Sequence, residues 1–241
     1  MAKFDDTDDP RRRILIQALT LGLLGLPAAA RADIFGSSPK KLPEGQSIYR
    51  LSGDVRVNGQ AATLETHIVP GDRVETGPGS EVVFVVGGQS MILRSNAHLV
   101  IETPAQQVTG FLIGGLRVLQ GALLSVSRDS KMHIVTPTAT VGIRGTGFYI
   151  DANEEQTYFC TCYGVTDIAA NLDEESKDSV TATHHDRPLY IVKGEQPGKN
   201  IRPAPFINHT DQELMLIETL VGRTPPFVFP GTQYNAPRRE Y

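Results

Sequence analysis

The chain has 241 residues, 40% of them apolar, and a formal charge of -4. That length admits one sizeable β-domain or two small ones, and the acidic balance excludes nucleic acid as a main partner, because phosphate binding needs a basic face. With 23 glycines, 16 prolines and no tryptophan, and with many Val and Thr, the composition favours short strands joined by turns.

Met1–Ala32 reads as an export signal. Arg11, Arg12 and Arg13 form a positive region, Ile14–Leu26 is uncharged and mostly apolar, and Pro27 breaks the run. Ala30-Arg31-Ala32 offers small residues at the two positions a signal peptidase reads, so cleavage is expected after Ala32. The apolar run is shorter than the roughly 20 residues a membrane span needs. Extended through Ala30, it gives the alternative of an uncleaved anchor. Arg11-Arg12-Arg13-Ile14-Leu15 also resembles the twin-arginine signal: two arginines, a variable residue, then two apolar ones. That route carries folded proteins, often ones that have already acquired a cofactor. The alternative is an ordinary secretory peptide with an extra arginine. The expected compartment is the periplasm, and no later run is long and apolar enough to span a membrane.

Asp33–Pro43 reads as a polar leader. From Ile48 the chain becomes a series of short strands. Val55-Arg56-Val57 alternates, and Asn58-Gly59 is a strong two-residue hairpin signal. Strands are expected at Thr63–Val69, Arg73–Thr76, Glu81–Val86, Met91–Leu93, His98–Glu102 and Val108–Ile113. Further ones are expected at Leu116–Gln120, Ala122–Ser127, Lys131–Val135, Gly147–Ile150 and Thr157–Thr161, with Gly and Pro punctuating between them. That rhythm fits an all-β roll, solenoid or sandwich of many short strands. Asn171–Ser179 is acidic and reads as an exposed loop. Val180–His184 and Leu189–Val192 read as a late strand pair, and Lys193–Pro205 as a connection. One helix is expected, opened by the capping box Thr210/Glu213, with Leu214, Ile217, Leu220 and Val221 on its apolar face. A Pro-rich tail follows to Tyr241.

The segment Ile134-Val135-Thr136-Pro137-Thr138-Ala139-Thr140-Val141-Gly142-Ile143-Arg144-Gly145-Thr146-Gly147-Phe148 resembles the signature of the FecR domain family. Gly53–Val57, Pro70-Gly71-Asp72, Thr76-Gly77 and Gly121 agree with the upstream pattern. Ile143 replaces the family's usual Val, and Gly147 a residue that is often polar or acidic. The resemblance covers roughly residues 46 to 170 and divides the chain into a signal (1–32), a FecR-like domain (46–170), a late strand pair and linker (171–205) and a C-terminal helix with its tail (206–241). Pro137 restricts Thr136 to extended geometry, and Gly142 and Gly145 permit tight turns or close packing. Arg144 is expected to donate to open carbonyls or to bind a ligand.

The resemblance implies an extracytoplasmic β-domain in sensing or signal relay. The family's namesake passes an iron-siderophore signal from an outer-membrane receptor to a cytoplasmic sigma factor, using an anti-sigma segment and a membrane span. Neither is recognisable in this sequence, so only fold and compartment carry over. The expected partner is a protein or another cell-envelope ligand.

Cys160 and Cys162 are the two cysteines. On a strand, period two puts both on one face with Tyr158. A hairpin could return His184 or His185 to them, and two thiolates with imidazoles suit a transition metal such as zinc, copper or iron. Such a site weakens in acid, because thiolates must lose protons to bind. A disulfide or redox pair is a second reading, and two inert buried thiols a third. No Gly-x-Ser-x-Gly elbow, phosphate loop or His-Glu-x-x-His is present. A catalytic role is therefore not expected.

Overall fold

The computed structural model describes residues 39–104, 113–194 and 196–227. Arg11, Arg12 and Ala32, most of the strand expected at 108–113, and the tail after residue 227 lie outside them. Thirteen strands and one helix are present among the described residues. The strands are β1 (Ile48–Ser52), β2 (Val55–Val57), β3 (Gln60–Ala61), β4 (Arg73–Thr76), β5 (Glu81–Val86), β6 (Gln89–Leu93), β7 (His98–Glu102), β8 (Gly115–Val135), β9 (Ala139–Ala152), β10 (Gln156–Ala170), β11 (Asp173–Ala182), β12 (Leu189–Val192) and β13 (Ile201–Pro203). The helix, α1, spans Asp211–Leu220. The fold is all-β, as the composition implied.

Local chemistry explains most of the short elements. Asn58 and Gly59 both take positive φ (52° and 79°) and turn β2 into β3, the geometry a right-twisted hairpin demands. Thr63–Val69 is not a strand. Side chains capture its amides: Thr66 Oγ1 accepts from Thr63 N, Thr63 Oγ1 from Glu65 N, Ser47 Oγ from Ile68 N and Asp72 Oδ2 from Val69 N. Such bonds compete with a ladder. At α1 the capping box is complete. Thr210 Oγ1 accepts from Glu213 N, and Glu213 Oε2 accepts from Thr210 N at 3.0 Å. Thr210→Ala should destabilise the helix by about 1 kcal/mol, read as a lowered denaturation midpoint at unchanged slope.

Three long antiparallel strands carry the rest. β9 pairs along β8 on one side and along β10 on the other. The opposite edge of β8 is shared by β7 and then β6, and that of β10 by β12 and then β11. The sequence suggests three separate strands within Leu116–Val135, but they form one. Gly121 (φ 82°) lies inside it rather than ending it, two residues after a bulge at Leu119, with its Cα packed so close that a Cβ would stand 2.6 Å from Ala97. Likewise Asn171–Ser179 is no loop: Asp173 opens β11, which pairs with β10 from Gly164 to Ala170. β11 and β12 do not pair with each other; each pairs with β10.

The signature segment has a structural role. Thr136–Ala139 is the tight turn between β8 and β9, with Thr136 N donating to Ala139 O and Ala139 N to Thr136 Oγ1. Thr136, Thr138 and Thr157 hydroxyls bond one another at 2.7 Å in the interior. Gly147 and Gly164 let β10 approach β9. A Cβ on Gly147 would strike the Tyr163 ring at 2.4 Å, and one on Gly164 would meet Gly145 O at 2.5 Å. Gly142 is not crowded, since the nearest atom to its Cβ position is 3.9 Å away.

Side chains alternate between two cores. Phe84, Met91, Leu123, Phe148, Ile150 and Phe159 belong to a large cluster drawn from β1 to β12. Val83, Ile92, Leu124, Tyr149, Tyr158, Cys160 and Cys162 face the other way, beneath Leu214, Ile217 and Leu220 of α1. At the sheet's centre both faces are therefore buried.

Candidate metal centre

The cysteines sit where β10 changes partners. Its outer edge pairs with β12 through Phe159 and with β11 from Gly164. The stretch between, Cys160–Tyr163, is spanned by the β11–β12 loop. There His185 N donates to Cys162 O at 3.0 Å, filling the gap in the ladder. The loop is tightened by Asp186, whose Oδ2 accepts from Thr183 N, Thr183 Oγ1 and His184 N. His185 itself adopts a left-handed φ of 53°, uncommon for a residue other than glycine. This conformation separates it from its neighbour: the His185 side chain is 6% exposed and that of His184 31%.

Both thiols share a face with Tyr158, as period two required, and both are fully buried. His185 joins them and His184 does not. The fourth member is His209, which no sequence pattern singled out. It lies just before the N-cap of α1 and is fully buried, stacked on Tyr149 at 4.6 Å. The donor atoms of Cys160, Cys162, His185 and His209 all lie within 4.8 Å of one another. Individual edges are 3.5 Å for Cys160 Sγ to His185 Nδ1, 3.4 Å for Cys162 Sγ to His209 Nε2, and 3.1 Å for His209 Nε2 to His185 Nδ1.

These distances match a metal cage. With Zn–S about 2.3 Å and Zn–N about 2.05 Å, a tetrahedral ion sets its ligands about 3.6 Å (S to N) and about 3.3 Å (N to N) apart. The outward nitrogens agree. His209 Nδ1 lies 2.7 Å from Ile207 O, and His185 Nε2 lies 3.0 Å from Asp211 Oδ1. A carbonyl and a carboxylate can only accept, so both outward nitrogens carry hydrogen. Both inward nitrogens then present lone pairs to each other unless a proton or a metal ion lies between them. A carbonyl or a carboxylate holding an imidazole this way is the usual outer shell of a metal site. Asp211 is wholly buried, and its Oδ2 also accepts from His184 Nε2 at 2.9 Å. As the first residue of α1 it is further favoured by the helix dipole.

The electrostatics describe the protonated alternative. Burial pushes the Cys160 thiol up, but hydrogen bonds from Cys162, His185 and His209 outweigh it and hold it well below the usual thiol range. Cys162 is pushed up, by burial and by the Cys160 charge. Burial pulls His185 down, yet Asp211 and Cys160 leave it raised overall, while burial leaves His209 lowered. The resulting thiolate–imidazolium pair, with Asp211 behind it, has the order of a Cys-His-Asp nucleophile. However, Cys160 is 0% exposed, and a second thiol and a second imidazole complete a cluster of four donors around it. A closed set of four protein ligands is the pattern of a structural or sensing metal site; catalytic sites keep a position open.

Arg144 takes no part. It is exposed and lies 3.6 Å from Asp167. His133 instead contacts Glu102 at 2.8 Å.

Residues 72–164 match the family model described as FecR protein. Over that stretch the chain is similar to a FecR domain. The match lies within the 46–170 range that the signature suggested. Two crystal structures of a protein described as a putative anti-sigma factor from Parabacteroides distasonis ATCC 8503, at 2.50 and 1.65 Å, are also similar. Identities are 14% and 15% and TM-scores 0.41 and 0.40, each over 55% of this chain and 58% of that one. This chain thus spans somewhat more than half the length of that protein. No curated protein matches. Cys160 and Cys162 belong to the last matched strand of the FecR domain, whereas His185 and His209 lie beyond it.

Proposed function

We propose that the chain is an exported, non-catalytic signalling module of FecR type that binds a soft or borderline metal ion, zinc above all, at Cys160, Cys162, His185 and His209. The observation carrying this reading is the convergence of two thiols and two imidazoles within 4.8 Å of one another, three of their edges at tetrahedral lengths, with both outward nitrogens committed as donors. The FecR domain supports a role in sensing, with a protein or cell-envelope ligand as partner. Arg11, Arg12 and the Ala32 cleavage point support delivery to the periplasm by the twin-arginine route, which moves proteins already folded around a cofactor.

Elemental analysis of the exported protein should find about one metal ion per chain, lost in the Cys160→Ala/Cys162→Ala double variant. A native protein without stoichiometric metal, and with thiols titrating as an ordinary free pair, would defeat the metal reading. Replacing Arg11 and Arg12 with lysine should trap precursor in the cytoplasm; normal maturation would defeat the route.

A further inference from the structure

The ligands come from two parts of the chain. Cys160 and Cys162 are on β10 in the heart of the sheet; His209 heads the segment that carries α1. Beneath α1 lies an apolar face formed by Val83, Ile92, Leu124, Val126, Tyr149 and Tyr158. The helix has ten residues, too few to persist alone in water, so its docking decides whether it exists.

That docking is unusually polar. Asp211 and Glu218 are completely buried, and Glu213 nearly so. Arg94 donates to both carboxylate oxygens of Glu213 at 3.0 Å. Glu218 bonds to Tyr163 and, at 2.8 Å, to Arg223. Buried ion pairs are a weak source of stability, because desolvation offsets their attraction. The apolar contribution is modest: Leu214, Ile217 and Leu220 are buried, with Leu216 and Val221 partly buried beside them. To these the four-donor cluster adds an attachment that reaches the helix twice: through His209 directly, and through Asp211, which holds His185.

We propose that the metal is a clasp. Its occupancy fastens α1 over the sheet, and its loss releases the helix and uncovers the apolar face while the long strands stay paired. This inference rests on the metal-binding reading above and assigns that site its regulation: the FecR domain presents a different surface with and without metal.

Hydrogen exchange of the mature protein, read by mass spectrometry with metal content measured on the same sample, tests it. Chelation of the zinc-loaded protein should raise exchange across Asp211–Leu220 at least tenfold and leave β8, β9 and β10 protected. His209→Ala should show the fast helix even in the presence of zinc, and His209→Cys, which restores a fourth ligand, should slow it again. Unchanged helix exchange after the metal has been removed would overturn the clasp. So would helix and sheet losing protection together, which would make the metal a staple of the whole fold. A sample that binds no zinc would defeat the metal centre itself.

Discussion

Cys160→Ser is expected to abolish stoichiometric metal binding and to remove the part of the protein's stability that a chelator removes from the wild type. Serine keeps the volume but offers no thiolate. A site filled at about 1,000 times its dissociation constant stabilises the fold by about 4 kcal/mol, equivalent to about 8–16 °C in melting temperature for a domain of this size. The wild type should lose that increment on chelation, whereas the variant should melt at the chelated temperature whether or not metal is present. A chelator-insensitive wild type, or a variant still stabilised by zinc, would contradict the assignment. Asp211 touches no metal in this arrangement but orients His185, so its loss should weaken binding less than loss of a thiolate.

Gly164→Ala is the second large effect. Gly164 has a φ of 95°, where a Cβ is disfavoured, and that Cβ would stand 2.5 Å from Gly145 O and 2.9 Å from Thr146 Cα. Those are backbone atoms, so no rotamer change relieves the contact. Register also shifts on both sides of Tyr163 in the β9–β10 pairing. Straightening this irregularity would displace the adjoining Cys162. Strain and collision together should cost about 3 kcal/mol. Denaturant unfolding should show it, accompanied by weaker metal binding. Gly142→Ala on the same signature segment should be near neutral, because its nearest neighbour is 3.9 Å away.

The legible parts of the fold were those governed by neighbours in sequence. Asn58-Gly59 specified its turn, Thr210 and Glu213 specified their helix start, and the one-residue spacing of Cys160 and Cys162 specified their common face. Gly121 was misleading for a physical reason: a positive-φ glycine serves equally at a strand end and inside a strand beside a bulge. Polar Asp173–Ser179 was misleading because the first half of β11 is largely exposed, with Ser176 its one buried side chain. Thr63–Val69 looked extended, but its hydroxyls, with Ser47 and Asp72, took the amides a ladder would have used. At the site, the choice between His184 and His185 depended on a single left-handed residue. His209 was invisible because an isolated histidine becomes a ligand only through the docking of α1, a contact between segments far apart in the chain.

The placement of both thiols on one face has a chemical consequence. Two cysteines so close together are buried in the folded domain, but in a chain not yet closed around them they are open to oxidation wherever electrons are readily withdrawn. A bound cation ties up both sulfurs and shields them. Under the export proposed above, to an oxidising compartment, the order of events then matters. The ion must enter while the surroundings are still reducing, and the chain must leave already closed around it. A copy that reached the oxidant first would be diverted down the sulfenic acid ladder, and two ligands would be lost at once.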